Sequence, residues 1–331
     1  MSDISFRITR REALLLGAAA IGSGAGLAQA QQAALPELPT LRVGFQKGSI
    51  NLALLKSLQL LDKHLPGTAV KWVEFPAGPQ LLEALAVGSV DVGAVGDSPP
   101  VFAQAAGKDV VYIGAEPPKP DSSAVLVGPD SPLKTLADLK GRRIAAQKGS
   151  SAHFLAVQAV KKAGLQWSDV QPVYLPPADA RAAFEKGAVD AWAIWDPYYA
   201  AAEIAGNVRV LATSRGLTGN NSFYLASRAF AEREDVVKKL FAALSETDAF
   251  VQAHRKEAAQ RFADFASLSL ATVHRVLERR QPSPVGPLTP QMVAAQQQVA
   301  DTFAQLGLIP KPIRVADAVW QPRARLAQAA R

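Results

Sequence analysis

The sequence predicts an α/β protein of two similar lobes, each with a mainly parallel sheet flanked by helices. Two observations carry this prediction: short apolar strands alternate with helical segments, and one strand–turn–helix pattern occurs twice, about 100 residues apart. Alternating strands and helices are typical of βαβ units in parallel sheets. A repeat of such a unit within 331 residues indicates two similar halves.

The repeat is clearest where the first strand of each half ends in the same turn, Gln-Lys-Gly-Ser, at 46–49 and 147–150. The corresponding segments are 41–49 with 142–150, 72–77 with 173–178, and 88–91 with 187–190. Each half is therefore expected to run strand, helix, strand, short helix, strand and then another helix start.

The elements follow in order. In the first half we predict strand 41–46, a helix from 50 to about 64, a strand ending at Pro76-Ala77, helix 79–87 and strand 90–95. In the second half we predict strand 142–146, helix 151–163, a strand ending at Pro177-Ala178, helix 179–186 and strand 189–195. A strand at 223–226, a helical stretch from 229 to about 277, a proline-rich break at 282–287 and a helix at 290–306 complete the chain.

Two segments are predicted to cross between the lobes. Residues 116–121 contain three prolines, which resist helix and central strand, and residues 218–223 are rich in glycine and asparagine. Lobe one is then 36–120 together with 222–331, and lobe two is 121–221. A hinge of two crossings permits the lobes to close on a ligand.

The N-terminus resembles an export signal over residues 1–30. Arg7, Arg10 and Arg11 precede an uncharged stretch at 14–27 that is too short for a spanning helix. The small residues around Gln29 predict cleavage after Ala30 and a mature protein in the periplasm. The pair Arg10-Arg11 is similar to a twin-arginine signal, although the general secretory route and an N-terminal anchor remain alternatives.

Composition excludes several function classes. There is no cysteine, which excludes disulfides and thiolate chemistry. The four histidines are dispersed, so neither a metal cluster nor any cofactor is expected. The net charge is +7, but the basic residues form no stripe interleaved with aromatics, so nucleic acid is not expected as a partner. We expect a monomer without enzymatic activity.

Four turns at the carboxyl ends of strands are the candidate ligand site, because ligands of open α/β sheets bind there and helix N-termini attract anions. Ordinary helix capping explains the serines and aspartates as well, and Trp195 also fits a core position. His153 is more typical of packing and is left out of the site. The candidates are Gln46, Gly48, Ser49, Asp97, Ser98, Ser150, Ser151, Trp195 and Asp196.

These turns offer neutral donors and few charges. Such a site suits a fully ionised, weakly basic anion such as a sulfonate. It suits phosphate less well, because phosphate usually attracts a bidentate arginine or several charges. Ser98 before Pro99 and Asp196 before Pro197 are each expected to cap a helix with proline at its first position.

At these residues the chain resembles the aliphatic-sulfonate-binding proteins of ABC importers, which are related to taurine- and nitrate-binding proteins. The matching stretches are 43–49, 72–80, 102–107, 116–120, 147–151 and 190–199. The resemblance implies a type II periplasmic-binding-protein fold that closes on an aliphatic sulfonate for sulfur metabolism. It also implies an inner-membrane permease partner with a cytoplasmic ATPase.

Two alternatives stay open at this point. A taurine- or nitrate-type protein of the same fold differs only in ligand, and Asp97 or Asp196 suits an amine-bearing one. An enzyme on this fold, such as a pyrimidine-precursor synthase, fits less well, since the sequence has an export leader and no H-x-x-H or G-x-S-x-G motif.

Overall fold

The structure is a computed structural model that describes residues 38–322. The predicted export signal at 1–30 and its cleavage site lie outside the described residues. Within residues 38–322, no helix combines the length and apolar character needed to cross a bilayer.

The first part of the chain builds most of one sheet and follows the predicted order closely. Its elements are β1 (Thr40–Phe45), α1 (Ile50–Ser57), α2 (Leu60–His64), β2 (Ala69–Glu74), α3 (Gly78–Ala86), β3 (Val92–Gly96), α4 (Ser98–Ala105) and β4 (Val111–Ala115). The predicted single helix from 50 to 64 is wrong. It is two helices, because Gln59 adopts a left-handed conformation with φ 53° between them.

The middle of the chain builds a second sheet in the same manner. Its elements are β5 (Ser123–Val127), β6 (Arg143–Ala146), α5 (Ser151–Lys162), β7 (Gln171–Tyr174), α6 (Pro177–Glu185), β8 (Ala191–Trp195), α7 (Tyr198–Ile204) and β9 (Arg209–Thr213). Short 3-10 turns at Leu136–Leu139 and Trp167–Asp169 join them.

The last part returns to the first sheet and is otherwise helical. Its elements are β10 (Ser222–Ala226), α8 (Arg228–Ala231), α9 (Glu234–Ala253), α10 (Arg255–Ala266), α11 (Leu270–Arg279) and α12 (Pro290–Gln305), followed by a 3-10 turn at Val315–Ala318. The stretch predicted as continuous helix from 229 to 277 is four helices. Its breaks include His254 and Ser267, the latter in the left-handed region with φ 53°.

The two sheets have the same topology, with strand orders β2-β1-β3-β10-β4 and β7-β6-β8-β5-β9. In each sheet one strand, β10 or β5, runs antiparallel to its neighbours, so the prediction of mainly parallel sheets is confirmed. Each antiparallel strand is the first one after the chain has crossed between sheets, from β4 to β5 and from β9 to β10. We call the first sheet with its helices lobe one and the second lobe two.

The repeat also survives at the side-chain level, in one arginine clamp per lobe. Arg42 at the start of β1 pairs with Asp91 at 2.6 Å and donates to the carbonyl of Gly88 at 2.5 Å. Arg143 at the start of β6 pairs with Asp190 at 3.1 Å and donates to the carbonyl of Gly187 at 3.3 Å. Each clamp ties one strand, β1 or β6, to the turn that precedes the strand paired beside it, β3 or β8.

The cores lie between the sheets and their helices. In lobe one, β1, β3, β4 and β10 contribute buried side chains that pack against α1 and α9, while α4 and α12 cover the other face. In lobe two, α5 covers one face of the sheet and α6 and α7 the other. Since both faces of each sheet are covered, ligand access is directed to the strand ends.

Candidate ligand-binding site

A cavity of about 100 Å³ lies where strand ends of the two lobes face each other. Since one water needs roughly 10–15 Å³ in this measure, the cavity accommodates a small ligand of several non-hydrogen atoms. Seven of the nine predicted site residues line it: Gln46, Gly48, Ser49, Ser150, Ser151, Trp195 and Asp196.

The turn after β1 supplies the lobe-one side. The side-chain amide of Gln46 donates to the carbonyl of Ala94 at 3.0 Å, which fixes the side chain across the end of β3. Ser49 precedes α1 but makes no capping side-chain bond, and its Oγ instead accepts from the backbone N–H of Gln46 at 3.3 Å. Gly48 lies against lobe two, since a Cβ there would stand 2.7 Å from the carbonyl oxygen of Asp196.

The turn after β6 supplies the lobe-two counterpart. Ser150 caps α5, accepting from the N–H of His153 at 3.4 Å and donating to the carbonyl of Gln147 at 2.7 Å. Ser151 accepts from the backbone N–H of Asp97 at 3.2 Å, a contact between the lobes. Both hydroxyls therefore already have backbone partners around the cavity.

His153 lies away from the cavity lining and is fully buried. Its Nδ1 accepts from the N–H of Gly149 at 3.3 Å, and its Nε2 lies 3.2 Å from the hydroxyl of Tyr174. Burial, together with the charge of Lys148, lowers the pKa of His153 to about 4. The ring is thus neutral at pH 7 and acts in packing.

Asp97 and Ser98 are the two predicted site residues that do not line the cavity. The hydroxyl of Ser98 donates to the Asp97 carboxylate at 2.9 Å, and both residues are buried. Burial raises the pKa of Asp97. The cap prediction is wrong by one residue, because Asp97 is the N-cap and Ser98 the first residue of α4. A direct ligand contact for this pair stays a prediction. In the structure the pair is connected to the cavity lining through the hydrogen bond from the N–H of Asp97 to Ser151.

Trp195 and Asp196 form the far wall. Trp195 is half-buried and lies edge-on to Tyr198, with ring centroids 6.3 Å apart. The Asp196 carboxylate accepts from the N–H of Ala200 at 3.0 Å and from Arg279 at 3.2 Å. It therefore caps the first turn of α7, although the N-cap position itself is Pro197.

The expectation of few charges is wrong. Three basic and two acidic side chains line the cavity: Lys119, Arg279, Arg280, Glu116 and Asp196. Asp196 belongs to a predicted turn, whereas Glu116 and Lys119 come from the first crossing and Arg279 and Arg280 from the end of α11. The lining has a positive excess, which is greater whenever Asp196 is protonated, because burial raises the pKa of Asp196 to about 7 against the charge of Arg279.

Lys119 and Glu116 form one network at the first crossing. Lys119 Nζ pairs with Glu116 at 2.9 Å and donates to the hydroxyl of Ser222 at 2.5 Å. Glu116 also accepts from the hydroxyl of Tyr224 at 3.0 Å. Burial alone raises the pKa of Glu116, but Lys119 and Arg280 outweigh it and lower that pKa below its usual value. Glu116 is therefore a fixed negative charge that is already neutralised by the protein.

Arg280 also lies near carboxylates, but the described residues satisfy its guanidinium only in part. Its Nη2 donates to the side-chain oxygen of Asn51 at 2.8 Å, and Asp248 lies 4.0 Å away. Its Nε is buried and has no hydrogen-bond partner among the described residues. A buried guanidinium in this state attracts an anion.

The rest of the lining is apolar and polar-neutral. Its apolar members include Ile50, Pro99, Pro197, Phe262 and Val276. Asn220, Ser122 and Ser222 add neutral polar groups at the crossings. Within residues 38–322, no three His, Asp or Glu side chains gather into a group able to hold a metal ion. The cavity lining thus combines charged, neutral polar and apolar side chains.

Comparison with known proteins assigns the chain to a family. The model of the family described as NMT1/THI5 like matches residues 67–258. A protein of Escherichia coli (strain K12), described as a putative aliphatic sulfonates-binding protein, is 50% identical over 283 residues, covering 85% of this chain and 89% of that protein. This chain belongs to the aliphatic-sulfonate-binding protein family.

Solved structures of this family have the same fold. The periplasmic aliphatic sulphonate-binding protein SsuA of E. coli matches with a TM-score of 0.80 at 50% identity, covering 87% of this chain and 93% of that one. The alkanesulfonate-binding protein SsuA of Xanthomonas axonopodis pv. citri, bound to MOPS, matches with a TM-score of 0.83 at 47% identity, covering 87% and 100%. The two-lobed fold expected from the resemblance is confirmed.

Proposed function

We propose that this protein is the periplasmic solute-binding component of an ABC importer. It binds aliphatic sulfonates by closure of its two lobes and delivers them to an inner-membrane permease, driven by a cytoplasmic ATPase, for sulfur acquisition. It binds its ligand without chemical change and acts as a monomer. The lobe boundaries of this proposal are 36–120 with 222–331 for lobe one and 121–221 for lobe two.

The cavity is the observation that carries the proposal. Its lining combines a positive excess with apolar side chains that include Trp195, Phe262 and Val276. An alkanesulfonate combines the same two features, an ionised head and an apolar tail. The names of the two family members, and the MOPS bound to the Xanthomonas protein, support the same ligand class.

Within this proposal the nine predicted residues take different roles. Gln46, Gly48, Ser49, Ser150, Ser151, Trp195 and Asp196 contact ligand, and Arg280 holds the sulfonate charge. Asp97 and Ser98 are also proposed as ligand contacts, and the N–H of Asp97 in addition orients the Ser151 hydroxyl. Phosphate fits less well than a sulfonate, because two of the three basic side chains already pair with cavity carboxylates.

Isothermal titration tests the proposal directly. The leaderless protein in Tris buffer is titrated with ethanesulfonate, MOPS, taurine, nitrate and sulfate. We expect heat with the sulfonates and weaker or no heat with nitrate and sulfate. Heat with nitrate alone points to a nitrate-type protein, and heat with taurine alone to a taurine-type one. Absence of heat with every sulfonate overturns the proposal.

A further inference from the structure

Arg279 bridges the two lobes at the edge of the cavity. It ends α11, which packs with α10 and α1 in one apolar cluster. Its guanidinium reaches lobe two, where Nη1 lies 3.2 Å from the Asp196 carboxylate and Nη2 pairs with Glu203. Its Cζ lies 3.8 Å from the ring centroid of Tyr199. One lobe-one side chain thus makes three contacts with lobe two.

The three lobe-two partners share one helical face. Asp196, Tyr199 and Glu203 follow one another at spacings of three and four residues along α7 and the turn before it, which places them in line. Apolar contact supports the bridge, because Ala200 of α7 packs in the same cluster as Val273 and Val276 of α11. The ion pair is largely shielded from water, since the Arg279 side chain is 12% exposed and that of Asp196 is 6% exposed.

Arg279 and Arg280 are consecutive yet point to different lobes. Arg280 donates to Asn51 of α1 in lobe one, whereas every Arg279 contact described above is made to lobe two. Because its guanidinium is already engaged by Asp196, Glu203 and the ring of Tyr199, Arg279 is less available to an anion than Arg280. Its position instead couples the wall of the cavity, through Asp196, to the contact between the lobes.

We propose that Arg279 is a positioning residue for ligand retention: by bridging Asp196 and Glu203 it holds the lobes together around bound ligand. This inference rests on the proposed function, since it concerns closure of the same cavity. Removing one partner of a buried charge pair acts mainly on dissociation. Arg279 therefore sets how long the ligand stays and leaves the choice of anion to other groups.

The test compares three variants with the wild type: Arg279→Gln, Arg279→Lys and the matched control Arg275→Gln. Arg275 lies one turn earlier on α11, and among residues 38–322 its ion pair is with Glu278 of the same helix, at 3.6 Å. Kd and the dissociation rate are measured by titration and stopped flow with ethanesulfonate and MOPS, and ligand-induced compaction by small-angle scattering. Thermal unfolding without ligand reports folding.

We expect Arg279→Gln to raise Kd by roughly tenfold or more, chiefly through faster dissociation, and to reduce compaction. The ratio of the two sulfonate Kd values stays unchanged. Arg279→Lys recovers only part of the affinity, because an ammonium cannot hold two carboxylates in a fork or stack on Tyr199 in the same way. Arg275→Gln behaves like the wild type.

Wild-type Kd and dissociation rate in Arg279→Gln overturn the inference and leave the proposed function standing. If that variant does not fold, Glu203→Gln removes the outer half of the bridge and is judged by the same measurements. A changed ratio of sulfonate Kd values also overturns the inference, since it makes Arg279 a ligand contact. A wild type that binds no sulfonate overturns the proposed function and this inference with it.

Discussion

Two explanations of anion binding remain: neutral donors at the helix starts hold the anion, or the buried charge of Arg280 does. Removing Arg280 distinguishes them. Arg280 lines the cavity with a partly unpartnered guanidinium. A hydrogen bond to a charged group contributes about 1.5–3 kcal/mol. Arg280→Gln is therefore expected to weaken ethanesulfonate binding roughly 10- to 100-fold by titration, and Arg280→Lys to weaken it less.

Arg275→Gln controls for the loss of one positive charge on the protein, and thermal unfolding checks that the variants fold. Unchanged Kd in Arg280→Gln contradicts the prediction. In that case the neutral donors of the four turns hold the anion, as the sequence alone suggested.

His153 makes stability depend on pH in a defined window. Burial lowers its folded-state pKa from the ordinary value of 6.5 to about 4, so between these values the unfolded chain binds the proton that the folded protein excludes. Stability is then lost as pH falls from about 6.5 to 4, by roughly 3 kcal/mol in all. Denaturant unfolding at pH 7, 5.5 and 4.5 measures the slope.

His153→Gln is expected to flatten this part of the pH profile, even though it lowers stability at pH 7 by removing ring contacts with Trp167, Tyr174 and Phe303. His274→Gln, at an exposed position of α11, controls for loss of a histidine. A His153→Gln slope equal to that of the wild type refutes the assignment.

At the residue scale, the sequence predicted the turns but not the charges. Gly48, Asp196 and three serines lie between a strand and the first turn of a helix, which is a local pattern. With Gln46 and Trp195 they make seven predicted residues that line the cavity. Arg279 and Arg280 arrive from the end of a helix more than 200 residues after Gly48, and no local pattern reports such a contact. The face formed by Asp196, Tyr199 and Glu203 could have indicated a basic partner, but not which residue supplies it.

At the element scale, a glycine follows both α3 and α6, at Gly88 and Gly187. Each of these positions has a left-handed backbone conformation. Gly187 has φ +66° and no atom within 4 Å of a Cβ, so only backbone strain opposes a side chain there. A left-handed alanine costs about 1–2 kcal/mol. Gly187→Ala is expected to lower the free energy of unfolding by about that amount in urea denaturation, without changing ligand Kd.

Gly128→Ala is the matched control, because that position also has open space but no positive φ. It is expected to leave the urea midpoint at or slightly above the wild-type value. Equal midpoints for the two variants would show that the turn before β8 relaxes to accept alanine.

Element boundaries were predicted well where periodicity and glycine agreed. Helix α5 begins at the predicted Ser151 and ends one residue early, at Lys162. The prediction did not place β4, β5 or β9, because a five-residue buried run such as Ser123–Val127 has no alternation that distinguishes it. The breaks at Gln59 and Ser267 also escaped it, since left-handed non-glycine residues have a weak sequence signal.

At the scale of the whole molecule, two copies of one topology face each other with the antiparallel strand of each at a crossing. The crossings are bonded to one another, since the Asn220 side chain donates to Ser122 at 2.9 Å and to Ser123 at 2.8 Å. The repeat in the sequence was enough to predict the two lobes and the edges that meet. It could not predict the distance between the two lobes across the cavity, because that distance depends on close contacts between residues of different lobes.

Gly48 is the most direct probe of that separation. Its φ is not in the left-handed region, so alanine fits the local backbone, yet the new Cβ would stand 2.7 Å from the carbonyl oxygen of Asp196 across the cleft. The clash exists only while the lobes touch. Gly48→Ala should therefore leave ligand-free thermal unfolding unchanged, abolish ligand-induced compaction in small-angle scattering and raise the Kd for ethanesulfonate. Full compaction with wild-type Kd would mean that the lobes close on ligand without bringing Gly48 against Asp196.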